Sequence, residues 1–126
     1  MLKTILAVLA VFIGSLSFVE TSAAASGSTI TRVRLEARMR SGVTEAKVTY
    51  RAENDQGVTR RWLEAEAGRA VPNTTYIVLH NGRQVASFRT NSLGYGRVQI
   101  ERGVVIMRAG DQVAVGRMTG TLQPRL

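Results

Sequence analysis

Beyond residue 29, hydrophobic and polar side chains trade places at nearly every step. In ITRVRLEARMR (30–40), Val33, Leu35, Ala37 and Met39 fall on one side, and Arg32, Arg34, Glu36, Arg38 and Arg40 on the other. In AKVTYRAE (46–53), Ala46, Val48, Tyr50 and Ala52 oppose Lys47, Thr49, Arg51 and Glu53. In VTRRWLEAEA (58–67), Leu63, Ala65 and Ala67 oppose Trp62, Glu64 and Glu66. A period of two is what a strand needs when one face lies in a core and the other in water. Ser41-Gly42 and the polar run ENDQG supply the turns, so these three segments are predicted to form a meander of hairpins.

Shorter segments continue the pattern: TYIVLHN, RQVASFRT, GRVQIE with Val98 and Ile100 inward, and DQVAVGRM with Val113 and Val115 inward. Pro72-Asn73, Asn81-Gly82, Asn91-Ser92 with Gly94 and Gly96, and Ala109-Gly110-Asp111 carry the turn chemistry that separates them. Residues 104–107 are a candidate for one more short strand and 119–123 for a closing one. No helical repeat competes with this pattern. Seven to eight short strands at this spacing predict an all-β fold: an antiparallel β-sandwich of immunoglobulin-like type, or a small barrel.

The turn-bearing runs Pro72-Asn73-Thr74-Thr75-Tyr76, Asn81-Gly82, Thr90-Asn91-Ser92-Leu93-Gly94-Tyr95-Gly96 and Ala109 to Gly116 together resemble a group of small secreted bacterial proteins of unassigned function. That resemblance spans most of residues 26–126. It implies an exported immunoglobulin-like β-domain and brings no catalytic residue with it. His80 departs from the group's pattern, in which a β-branched aliphatic residue is usual before Asn-Gly.

The first residues follow a different grammar. Lys3 gives a positive start, residues 4–19 form an apolar run, and Ala23-Ala24-Ala25 offer the small side chains of a cleavage site. This is the pattern of a secretory signal peptide, 1–25, with 26–126 left as a single all-β domain. The run stops at Glu20 after 16 residues, short of the roughly 20 that span a bilayer. An uncleaved anchor is the lesser alternative; the processed product is expected to be secreted or periplasmic, with no transmembrane segment. With no cysteine, disulfides, thiolate nucleophiles and Cys-ligated zinc are excluded.

Charge adds a direction. Dropping Lys3 and Glu20 leaves sixteen cationic and eight anionic side chains, still +8, and all the cations but Lys47 are arginine. Such an excess favours encounter with anionic surfaces. If the first three strands form a meander, Arg32, Arg34, Arg38, Arg40, Lys47, Arg51 and Arg60 share one outward face with Trp62, against Glu36, Glu53, Glu64 and Glu66. Two descriptions compete for that face. In the first it is a solvated ladder of exposed pairs, each worth little. In the second its surplus binds sulfate, phosphate or carboxylate groups, with Trp62 stacked under an arginine or against a sugar ring. The partner class expected from the second is an anionic polysaccharide or other cell-envelope polymer. Nucleic acid fits less well, because only Trp62 is placed for stacking and export removes the intracellular targets.

Catalytic candidates are thin. His80, the one histidine, is expected to face Arg83 across an Asn81-Gly82 type I′ turn and to cap the core edge beside Tyr76, Val78 and Val85, although Ile77 and Phe88 lie on the opposite parity from Val85. No second histidine gives it a metal-binding spacing. Glu64 and Glu66 lie about 6.6 Å apart along a strand, within the range of inverting glycosidases, but a flat strand face offers no cleft. Cross-strand ion pairs are the expected role for both. ENDQG lacks the spacing of a calcium loop. The sequence thus predicts an exported noncatalytic binding or structural module, with no cofactor and no metal. A small secreted hydrolase or metal-dependent enzyme is the alternative.

Overall fold

Ten strands follow one another along the chain: β1 (Val19–Ala23), β2 (Thr29–Ser41), β3 (Thr44–Asp55), β4 (Val58–Gly68), β5 (Thr75–His80), β6 (Arg83–Arg89), β7 (Gly96–Ile100), β8 (Gln112–Val115), β9 (Met118–Thr121) and β10 (Gln123–Pro124). The computed structural model describes residues 19–23 and 29–125. Most of the expected signal peptide, including Lys3 and Ala24-Ala25, lies outside the described residues; its described part, Val19–Ala23, is β1 and pairs with Thr29 to Val33 of β2, so the sheet extends past the expected domain start at residue 26. Within them the chain is all β and has no helix.

Two antiparallel sheets result. The first runs β1-β2-β3-β4-β7, with β10 added to β2, and the second runs β6-β5-β8-β9. The predicted meander is present, with β2, β3 and β4 joined by hairpins in continuous register, Leu35 opposite Tyr50 and Tyr50 opposite Leu63. Asn81-Gly82 has φ of 48° and 86°, the two positive values of a type I′ turn, which matches the right-handed twist of its strands.

One hydrophobic cluster draws on both sheets. Leu35, Val48 and Leu63 of the first sheet and Val78, Val113 and Val115 of the second are fully buried in it. The sheets also approach at their lateral edges. A Cβ on Gly96 of β7 would meet the ring of Phe88 on β6, and one on Gly120 of β9 would meet Met39 of β2. Glycine at these positions lets strands of different sheets come together without displacing core side chains.

Three details depart from the sequence pattern. Residues 104–107 form no strand; Met107 is buried as a plug, Val104 is half-buried, and Val105 and Ile106 stay exposed. The closing strand expected at 119–123 is split. β9 pairs with β8 in the second sheet, Leu122 is fully buried at the crossing, and β10 pairs with β2 in the first. The parity conflict between Val85 and Phe88 is resolved by a bulge, since Val78 pairs with Ala86 but Leu79 pairs with Gln84, so Val85 has no partner on β5. One extra residue reverses the alternation, and Ala86 and Phe88 then face inward with Val78 and Tyr76.

Candidate anion-binding face

Alternation puts the even-numbered residues of β2 and β4 and the odd-numbered residues of β3 on the face of the first sheet that points away from the core. Reading across β2, β3 and β4, the rows are Arg32–Glu53–Arg60, Arg34–Arg51–Trp62, Glu36–Thr49–Glu64, Arg38–Lys47–Glu66 and Arg40–Glu45–Gly68. All eight residues expected on this surface are therefore on it.

Their partners divide them. Arg32 Nε lies 3.0 Å from Glu53 Oε2, Arg38 Nη2 3.1 Å from Glu36 Oε2, Arg40 Nη2 2.6 Å from Glu45 Oε2, and Lys47 Nζ 3.2 Å from Glu66 Oε2. These four belong to an ion-pair ladder, which extends to Arg97 of β7, 2.6 Å from Glu64. Both glutamates of the 64/66 pair are thus engaged by cations. Among the side chains described, those of residues 30–125, Arg34, Arg51 and Arg60 have no carboxylate partner. The Arg51 guanidinium instead lies over the Trp62 ring, 4.5 Å from its centroid.

One row stands out. Arg34 and Arg51 are direct cross-strand partners, an arrangement of like charges that destabilises a sheet when nothing intervenes. Arg38 and Lys47 are also opposite one another, but each has its own glutamate. Beside the Arg34–Arg51–Trp62 row, Arg60, Arg61 and Trp62 line an open groove of about 440 Å³ together with Glu101 and Val104. Two guanidiniums side by side, an indole plane and an adjoining groove can hold a planar or tetrahedral oxyanion.

The sequence missed Glu45, Arg97 and Arg125. Glu45 and Arg97 obey the same outward parity as their neighbours and were legible from it. Arg125 was not. Its Nε lies 2.8 Å from Glu36 Oε1, and its backbone N–H donates to Arg34 O. Glu36 is only 6% exposed, a carboxylate closed between Arg38 and Arg125.

His80 lies at the other sheet. It is opposite Arg83, as the turn predicts, but the partner of its ring is Asp111, with Nε2 2.8 Å from Oδ2. Asp111 Oδ2 also accepts the Arg108 N–H at 2.9 Å. Asn81 donates its backbone N–H to Gln112 O and accepts the Gln112 N–H on Oδ1. Burial works to raise the Asp111 carboxyl. Hydrogen bonds from His80, the Arg108 N–H and the Asn81 side chain, with electrostatic attraction to the ring, outweigh it and hold the group below its ordinary value. The arrangement staples the β5–β6 hairpin to the start of β8. Among the described residues, no group of three or more His, Asp or Glu side chains could hold a metal ion. Comparison of the chain with known protein families, curated proteins and solved structures found no match.

Proposed function

We propose that the protein is an exported, noncatalytic β-sandwich module of immunoglobulin-like kind, which binds an anionic group of a cell-envelope or extracellular polymer on its arginine-rich face. The observation that carries this reading is the direct opposition of Arg34 and Arg51, neither with a carboxylate partner among the side chains of residues 30–125, with Trp62 completing the row. An oxyanion between the two guanidiniums would turn a repulsion into two charge-assisted hydrogen bonds. The remaining cations of the face serve the ladder. The site is thereby narrowed to Arg34, Arg51, Arg60 and Trp62.

The sandwich architecture is supported by two antiparallel sheets that share one hydrophobic cluster. The noncatalytic reading is supported by the position of His80, whose ring nitrogen is committed to Asp111 within a turn-anchoring network.

The test is retention on an immobilised sulfated polysaccharide at low salt. Arg34→Ala with Arg51→Ala is expected to lower retention at least tenfold, whereas Arg32→Ala with Arg40→Ala, equal in charge but drawn from the ladder, should lower it two- to threefold. Equal losses from the two double variants would reduce the effect to net charge and remove the site.

A further inference from the structure

The end of the molecule where β2, β4 and β6 finish carries a second unassigned surface. Three loops meet there: the β2–β3 turn, the β4–β5 loop and the β6–β7 loop. Each projects an aliphatic side chain into water. Val43 is 70% exposed, Val71 60% and Leu93 83%, and Tyr95 stands beside them half-exposed.

These loops are hydrogen-bonded to one another. Thr44 Oγ1 donates to Arg69 O, the Ala70 N–H to Gly94 O, the Val71 N–H to the Tyr76 hydroxyl oxygen, and Thr90 Oγ1 to Val71 O. Asn91 organises the loop that presents Leu93. Its Oδ1 accepts the N–H groups of Leu93 and Tyr95 at 2.9 and 3.0 Å, and its backbone carbonyl accepts those of Asn73 and Gly94. Gly94 has φ of 79°, and a Cβ there would collide with the Ala70 carbonyl. Asn91 and Gly94 thus fix a loop whose tip presents Leu93 to water.

Charge at this end is one-sided. Arg40 ends β2, Arg69 and Arg89 flank the loops, and Arg117 sits in the β8–β9 turn, whose Gly116 abuts the Tyr76 ring. The acids nearest these loops are Glu45, paired with Arg40, and Glu66, which pairs with Lys47 and accepts the Tyr95 hydroxyl at 3.4 Å. We propose that this end docks on the surface of an anionic phospholipid bilayer, Val43, Val71 and Leu93 entering the interfacial layer, Tyr95 lying at headgroup depth and the arginines meeting lipid phosphates. Apolar insertion and basic attraction add in such contacts, and an amphipathic tyrosine suits the boundary. Self-association through the same tips would set Arg69, Arg89 and Arg117 against their copies, so an anionic partner is the complementary one. This surface is distinct from the Arg34–Arg51–Trp62 row, and the two can be tested apart.

The experiment is co-sedimentation with vesicles of phosphatidylglycerol and phosphatidylcholine, against vesicles of phosphatidylcholine alone. Every variant is compared with the parent in the same form of the chain, so that residues 1–28 contribute equally. The protein is expected to bind the anionic vesicles at least tenfold more tightly than the neutral ones. Leu93→Ser with Val71→Ser should lose tenfold or more of that affinity with an unchanged circular dichroism spectrum, and Arg34→Ala with Arg51→Ala should retain it. Undiminished binding by the serine variant would overturn the proposal, as would no preference for anionic vesicles. A dimer in sedimentation velocity that disappears in the serine variant would also overturn it, by assigning the tips to a second copy.

Discussion

Asp111 shows how much of a fold can depend on one carboxylate in a turn. It accepts hydrogen bonds from His80 and from the Arg108 backbone, and so ties the end of β5 to the turn before β8 alongside the Asn81–Gln112 hydrogen bonds. Because its folded value is held below the ordinary one, its contribution to stability is complete above the unfolded carboxylate value near 4 and is lost as pH falls through the folded one. Asp111→Asn should therefore cost about 1 kcal/mol at neutral pH, the scale of a lost side-chain hydrogen bond. The gap between variant and parent should narrow as pH falls from the ordinary carboxylate value of about 4 through the lower folded one. Urea denaturation at a series of pH values checks this; a gap that does not change with pH would assign the loss to packing. The sequence placed His80 at a hairpin end opposite Arg83 correctly, but not beside Asp111. The β5–β8 pairing that joins them is long-range, and alternation says only which way a side chain points.

At the level of strands, the same limit explains what was legible and what was not. The three long strands could be read because their hydrophobic positions keep one parity for many residues, and hairpin turns then fix the neighbour and the register. That was sufficient to assemble the outward face, since every candidate on it follows from parity and adjacency. It could not separate Arg34 and Arg51 from the ladder, because ion pairs such as Arg38–Glu36 and Arg97–Glu64 depend on where long side chains settle. The irregular stretch at 104–107 resembles a strand only because Met107 needs burial, and burial does not require a ladder. The C-terminal crossing was equally hidden, as a single apolar run cannot announce that its two halves serve different sheets. Leu122, fully buried at that crossing, should be among the costliest residues to shorten. Leu122→Ala is expected to lose about 2–5 kcal/mol, measured by chemical denaturation. A loss below about 1 kcal/mol would mean that the two sheets hold together without this residue.

For the molecule as a whole, the excess of positive charge acts as a field as well as a set of contacts. A formal charge of +8 raises the local concentration of anions around every exposed guanidinium, an effect that fades beyond about 8 Å at physiological ionic strength. A general field and a built site respond differently to the kind of anion. Phosphate or sulfate at a few millimolar should raise the melting temperature more than chloride at equal ionic strength, because an oxyanion bound only by the folded state stabilises it by mass action. The increment should vanish in Arg51→Ala, with the scan repeated in chloride as reference. An equal increment in parent and variant would show that the field alone is responsible.

The handover at Leu122 has a consequence in time. β2 is the first long strand of the described chain to be synthesised, yet part of its outer edge is completed by β10, the last, and the second sheet stays unfinished until β9 has emerged. A polypeptide appearing N-terminus first can form the early hairpins but cannot seal its interior until these late residues arrive. Such non-local closure is slow compared with hairpin formation. The interior of the nascent chain thus stays open until β9 and β10 have been made, and shortening the chain before Leu122 should leave the two sheets unjoined.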